Sequence, residues 1–412
     1  MSREDSIFVY ADWWGLVGPT LMGKLYRSVI RGEEILSFEY EPEWLKDAKP
    51  FVLDPRLQFV GGRQHTDASS PFGLLTDSAP DRWGRLLIRA ALESSDAPPI
   101  LFVSDYLLAV SDTCRMGALR FRSGADGPFL AEDTPLSVPP LQRLRELEQA
   151  SRQFEASDMG DPEHAKWLQM LIASGTSLGG ARPKCSVIDP GGQLWIAKFP
   201  SRADEFDIGA WEGLVHHLAQ EAGLLVAKAR VESFSKAGTT FLTQRFDRQK
   251  EGRIHFASAM NLLGYQDGDG AKTGASYLDL VDLIERYGTT PREDLEELWR
   301  RVVFNVCVNN TDDHLRNHGF LLSDQGWKLS PAYDLNAQPW GGGFALNIDE
   351  NSNACDLDLA RSVGQYFRLS GPRQEAIIQE VLSAIETWEK RARDLHLKRG
   401  EIERFRSAFG SA

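Results

Sequence analysis

The sequence predicts an α+β chain: a small α+β N-terminal domain, then a small antiparallel β lobe, then a mainly helical C-terminal lobe. Three observations predict it. Short strand-like runs accompany one helix before residue 122. Two pairs of strands separated by a helix follow residue 184. From residue 277 onward the apolar residues recur mostly at helical spacing, with one hairpin among them. At 412 residues, 42% hydrophobic and 25% charged, the chain is long enough for two or three folding units with a sizeable core.

Each element has a local cause. In residues 1–122, strand-like runs lie at 7–10 and 101–103, and a helix begins near Ser78 or Pro80, carrying Trp83, Leu86, Leu87 and Ala90 at helical spacing. Residues 123–140 (SGADGPFLAEDTPLSVPP) read as a linker. Residues 141–245 hold helices from Leu141 and over 162–173, then strands at 185–188 and 193–199 joined by a Pro-Gly-Gly turn. A helix over 207–222, stopped by Gly223, and strands at 229–233 and 240–243 complete this lobe. Residues 246–412 form the helical lobe, with a helix over 295–308, a hairpin over 319–330 and an amphipathic helix from Arg373.

Lys and Arg total 46 against 59 Asp and Glu, a formal charge of −13. That balance argues against a chain that coats nucleic acid or anionic membrane by itself, while leaving room for a local basic cleft or a basic partner. The composition excludes collagen-like, disordered and disulfide-scaffold classes. The opening MSREDSIFVY lacks an apolar signal core, and no run approaches the ~20 residues of a membrane helix. A cytoplasmic protein without membrane contact is expected. Cys114, Cys185, Cys307 and Cys355 are widely spaced, which suits reduced, mostly buried thiols better than a zinc site.

Four segments carry chemistry. The first is SLGGARPK at 177–184, comprising Ser177, Leu178, Gly179, Gly180, Ala181, Arg182, Pro183 and Lys184. Adjacent glycines let backbone amides approach an anion, although a Gly-Gly pair alone is more often a plain turn. A strand follows, so this is not a Walker A loop. The second is Lys198 in LWIAKF, on the strand face shared with Leu194 and Ile196. A partly enclosed amine there needs a partner or a ligand; the alternative is a lysine snorkelling from the strand end. Glu212 borders the apolar stripe of the next helix, and a lysine paired with such a carboxylate is held ready for phosphates.

The third segment, NNTDDHLRN at 309–317, sets Asp312 and Asn317 at the D-x-x-x-x-N spacing of a kinase catalytic loop. The acid accepts a hydroxyl proton, and the amide oxygen five residues on reaches a metal on the nucleotide phosphates. Asp313 and His314 add polar groups whose roles spacing does not assign. Two alternatives stand beside this: Asp312 as a helix-terminus cap, or Asp312, His314 and His318 as ligands of a metal. In the fourth segment Asp334 follows the hairpin, as the metal-binding aspartate follows one in protein kinases. In this order the segments point to a two-lobed, protein-kinase-like core that uses ATP and Mg2+.

With FGLLTDSAPDRWGR (72–85), SLGGARPK, LWIAKFP, FLTQRFDR (241–248), NNTDDHLRNHGFLL and LSPAYDLN (329–336), the chain resembles the HipA family, the kinase toxins of bacterial toxin–antitoxin pairs. The resemblance covers most of the chain. It implies a HipA-type N-terminal domain on a kinase-like core and ATP-dependent phosphorylation of protein Ser or Thr. It makes Lys198 a phosphate contact, Asp312 the catalytic base, and Asn317 and Asp334 the magnesium ligands, with His314 in the catalytic loop. Gln244–Phe246 matches the hinge that reads adenine, and Ser177 matches the autophosphorylated serine. As partners it implies an aminoacyl-tRNA synthetase as the first substrate to test and a helix-turn-helix antitoxin of HipB type, with DNA reached only through that antitoxin. One departure is Pro183, which removes an amide donor before Lys184. Two other readings remain: a small-molecule phosphotransferase, and a non-catalytic kinase-shaped subunit that holds a DNA-binding antitoxin.

Overall fold

The computed structural model describes residues 5–66, 71–93, 100–132, 138–157, 162–173, 180, 182–249 and 252–409. The chain divides into two compact units. One holds Met1–Arg202 with Asp247–Ala257 and Leu321–Asp324; the other holds Ala203–Phe246, Ser258–Phe320 and Gln325–Ala412.

The first unit begins with strands β1 (Asp5–Ala11), β2 (Thr20–Ile30), β3 (Glu33–Tyr40) and β4 (Gln64–His65), and later β5 (Leu119–Arg122). They form an antiparallel sheet in the order β4-β3-β2-β1-β5. β2 escapes the sequence pattern because it bulges at Met22, opposite Val9/Tyr10 of β1, and Gly23 interrupts its alternation. Gly23 is needed there: a Cβ would lie 2.3 Å from the Glu39 carbonyl oxygen on β3.

Helices α1 (Arg82–Glu93), α2 (Leu144–Ala156) and α3 (Pro162–Ala173) follow in this unit. α1 starts later than the sequence suggests, because Asp81 supplies the cap by accepting from the Gly84 N–H at 2.7 Å. Residues 101–103 are not a strand: Asp105 accepts the Phe102 N–H at 2.8 Å, and the chain enters a helix at Val103–Ala109. Trp83, Leu87 and Ala90 of α1 bury against Ala150 and Phe154 of α2 and Leu168 and Leu171 of α3. That shared core carries the first unit past the 123–140 segment, so the division falls at Arg202 and differs from the boundary expected from loop composition. The antiparallel hairpin β6 (Lys184–Ile188) and β7 (Leu194–Lys198) closes it, turned by Asp189, whose side chain accepts from the Gly191 and Gln193 amides.

The second unit opens with α4 (Ile208–Glu221), capped by Asp207, and the antiparallel pair β8 (Ala229–Ser235) and β9 (Gly238–Gln244). α4 lies so close to β9 that a Cβ at Gly209 would meet the Thr239 carbonyl oxygen at 1.9 Å. Helices α5 (Tyr277–Tyr287) and α6 (Pro291–Val308) form its centre, with Leu280, Ile284, Leu298, Trp299, Val302 and Val303 buried. Strands β10 (Gly319–Leu322) and β11 (Trp327–Leu329) follow, and the Ser330 N–H donates to the Gly319 carbonyl at 2.9 Å. Helix α7 (Gly371–Ile385) is the amphipathic C-terminal element, with Ile377, Ile378 and Val381 buried. Among the described residues no disulfide joins the four cysteines, three of which are buried. Among the described residues no helix is long and apolar enough to cross a membrane.

Candidate active site

α6 ends in a buried, mainly apolar run, 302–308, and stops at Asn309, a left-handed residue with φ +52°. The Asn309 side chain donates to the Gln338 carbonyl at 2.6 Å, and the Ala345 N–H donates to the Thr311 carbonyl at 2.9 Å. These bonds fix the entry to the loop that carries Asp312. The helix cap is thus Asn309, and the reading of Asp312 as a cap is corrected.

Asp312 and Asp313 are neighbours with opposite environments. Asp313 is 3% exposed and accepts three bonds: from the Tyr277 hydroxyl at 2.6 Å, the Asn305 amide at 2.9 Å and His318 Nε2 at 2.8 Å. Burial alone would raise its pKa, but the charge of His318 and the bonds from His318 and Tyr277 outweigh it, and the value falls below the ordinary carboxylate range. Asp312 is exposed, yet its carboxyl is pushed up, first by partial desolvation and then by the charges of Asp334 and Asp313, against the pull of His314. One acid is therefore a buried anchor and the other an exposed carboxyl held partly protonation-prone by its surroundings.

Asn317 is buried on a single 3-10 turn, and its Nδ2 donates to the Asp312 carbonyl at 3.2 Å, which leaves the amide oxygen as its acceptor end. Asp334 is half-buried and adopts φ +57°. The segment before it is tied down by the Ala332 N–H, which donates to the Leu225 carbonyl at 2.7 Å. The Phe246 ring lies 5.7 Å from the Tyr333 ring, so the candidate hinge residue packs beside the Asp334 segment. Gln244 ends β9, its N–H donating to the Lys228 carbonyl at 2.8 Å. Asp312, Asn317, Asp334, Gln244 and Phe246 all belong to the second unit, as does Glu212, 4% exposed on α4.

The donor types present suit a hard dication: one carboxylate from Asp334 and one amide oxygen from Asn317. Among the described residues no group of three or more His, Cys, Asp or Glu is placed to hold a metal. That overturns the reading of Asp312, His314 and His318 as a metal centre, since His318 is turned to Asp313. His314 has its Nδ1 buried without a hydrogen-bond partner among the described residues.

In the first unit, Ser177, Leu178, Gly179 and Ala181 lie outside the described residues. Gly180 is left-handed at φ +84°, and Arg182 donates to the Phe199 carbonyl at 3.1 Å. Lys198, half-buried, stands directly across the hairpin from Lys184. The Lys184 ammonium is 2.9 Å from the Asp81 carboxylate, and both groups are buried.

Sequence reasoning passed over Tyr277 and Asn305 and left Asp313 and His318 without an anchoring role. Asn305 has a legible signal, a lone amide inside the apolar run 302–308; Tyr277 has none.

The HipA-like C-terminal domain family matches residues 176–388, just over half of the chain. Two relatives from Sinorhizobium fredii (strain NBRC 101917 / NGR234) carry names that mark them as candidate kinases. Y4mE is 33% identical over 148 residues, covering 34% of this chain and 33% of its own. Y4dM is 34% identical over 100 residues, covering 24% of each. The chain thus spans about a third or less of the curated relatives it matches. Among solved structures, it is similar to the chain in the Shewanella oneidensis MR-1 complex of HipA, HipB and operator DNA. The TM-score is 0.68 at 17% identity, covering 98% of this chain and 95% of that one. The α+β, kinase-like fold expected from the sequence is the fold observed, and the chain belongs to the HipA-like C-terminal domain family.

Proposed function

We propose that the protein is an ATP- and Mg2+-dependent protein kinase that phosphorylates Ser or Thr and acts as the toxin of a toxin–antitoxin pair. The observation that carries this reading is the 312–317 loop: an exposed carboxyl with a raised pKa, anchored from beneath by buried Asp313 and followed by an oxygen donor on Asn317. Asp312 would accept the substrate hydroxyl proton as the oxygen attacks the terminal phosphate. Asn317 and Asp334 would hold magnesium, which neutralises phosphate charge when bound. Lys198 is assigned to the phosphates, with Glu212 as its expected partner, and Gln244 and Phe246 to the adenine, on the strength of the family resemblance.

The same resemblance supports autophosphorylation at Ser177 as self-limitation, because ~1.5 to 2 added negative charges in a phosphate-receiving loop oppose nucleotide binding. It also supports an aminoacyl-tRNA synthetase as target and a HipB-type antitoxin as partner. The net charge of −13 suits a basic DNA-binding partner that carries the contact to DNA.

The test is intact mass of the purified protein, and labelling of a bacterial extract, with ATP and Mg2+. A phosphate-sized gain on Ser177 or on a protein partner, abolished by Asp312→Ala, is expected. Labelling of metabolites alone would assign a small-molecule phosphotransferase. Growth arrest unchanged by Asp312→Ala would assign a non-catalytic binder.

A further inference from the structure

Lys184 is the last residue of the SLGGARPK loop and the first of β6, and residues 81–83 at the start of α1 grip it twice. The Asp81 carboxylate reaches its ammonium at 2.9 Å, and the Trp83 indole N–H donates to its backbone carbonyl at 3.0 Å. All three residues are at most 5% exposed. The other oxygen of Asp81 caps α1 through the Gly84 N–H, so one carboxylate joins the helix start to the loop end. The ammonium also lies against the turn of the loop, since a Cβ at Gly180 would be 3.4 Å from Lys184 Nζ. From the other side the Phe199 N–H donates to the Pro183 carbonyl at 2.9 Å.

The register adds a constraint. Lys184 and Lys198 are direct cross-strand partners, so their side chains share one face of the hairpin. Like charges directly opposite destabilise a strand pair, and a buried ammonium needs a counter-charge. Asp81 supplies one to Lys184.

We propose that Lys184 is a strut and Asp81 a positioning residue: the pair neutralises one lysine of the cross-strand couple and pins the end of the phosphate loop, leaving Lys198 as the cation that meets the nucleotide. The inference rests on the nucleotide-binding reading above. It gives the SAPDRWGR segment, far away in sequence, a part in shaping that loop.

The experiment is a double-mutant cycle on the full chain. It measures the dissociation constant for a non-hydrolysable ATP analogue with Mg2+, and the thermal midpoint alongside. Asp81→Asn and Lys184→Met each leave a buried charge unpaired and should weaken nucleotide binding by about tenfold or more. The double variant, neutral at both positions, should return to within about threefold of wild type. Where a single variant does not fold, the double variant carries the comparison. If the double variant binds as weakly as Lys184→Met, Lys184 is itself a phosphate ligand and the strut is wrong. If the single variants lower the midpoint and leave nucleotide affinity unchanged, the pair is merely structural and the positioning role is wrong. Lys198→Met separates the two levels: weakened binding there keeps the nucleotide reading whatever the cycle shows. A wild-type chain that binds no nucleotide overturns both.

Discussion

Two buried carboxylates, Asp313 in the second unit and Asp81 in the first, solve one problem in opposite ways. Asp313 is surrounded by three donors from α5, α6 and His318 just after the 312–317 loop, and its pKa is lowered despite burial. Asp81 has one ammonium and one backbone amide; burial dominates, and its pKa is raised. A buried charge is settled by the number of hydrogen bonds it receives, and a single ion pair does not match three good donors. Motif spacing marks Asp312 and Asn317, one exposed and one buried. It does not mark Asp313 as the anchor between them.

The largest effect should come from the exposed member of the Asp312–Asp313 couple. Asp312→Asn is expected to slow phosphoryl transfer by ~100- to 10,000-fold, with nucleotide affinity nearly unchanged, as read by labelled-ATP turnover and calorimetry. Unchanged turnover would break the division of labour between the two acids. Next comes the anchor. Asp313→Ala strands the Tyr277 hydroxyl and the Asn305 and His318 donors, and should cost ~3–5 kcal/mol in chemical denaturation. Asp313→Asn, which keeps part of the bonding, should cost ~1–3 kcal/mol.

The comparison sharpens further in acid. Asp313 has a depressed folded pKa, so its contribution is complete above the unfolded carboxylate value of ~3.9 and is lost as pH falls through the lower folded value. Asp81 has an elevated folded pKa. Its ionisation therefore penalises the folded state progressively as pH rises from ~3.9 through the raised value. Stability measured against pH for Asp313→Asn and Asp81→Asn should differ from wild type with opposite slopes; equal slopes would show that the donor count does not control the outcome. The smallest effect belongs to an exposed pair. Arg368→Ala removes the bridge to Glu285 and should change stability by ~0–1 kcal/mol, fading with added salt.

Much of this was legible before any coordinates. Helical periodicity located α3, α4 and α6 to within a few residues, because each buries a continuous apolar stripe whose spacing survives in the sequence. The D-x-x-x-x-N spacing located the loop because Asp312 and Asn317 are close in sequence and joined by the Asn317 Nδ2 bond to the Asp312 carbonyl. What was hidden depends on distance along the chain. The Asp81–Lys184 pair spans 103 positions and the Tyr277–Asp313 bond 36, whereas Asn305 and His318 lie 8 and 5 positions from Asp313 and were hidden only in their role. β2 was hidden for a local reason, a glycine and a bulge that break its alternation.

Asp334 has a consequence for how the protein is best disabled. At φ +57° its backbone is uncomfortable for most side chains, and glycine, asparagine and aspartate are the residues that sit there readily. The customary alanine would remove a carboxylate and impose a backbone cost together, so a dead enzyme and a locally misfolded one would look alike. Asparagine keeps the turn and removes only the charge. The position thus answers to two requirements, one conformational and one chemical, and aspartate is the residue that meets both.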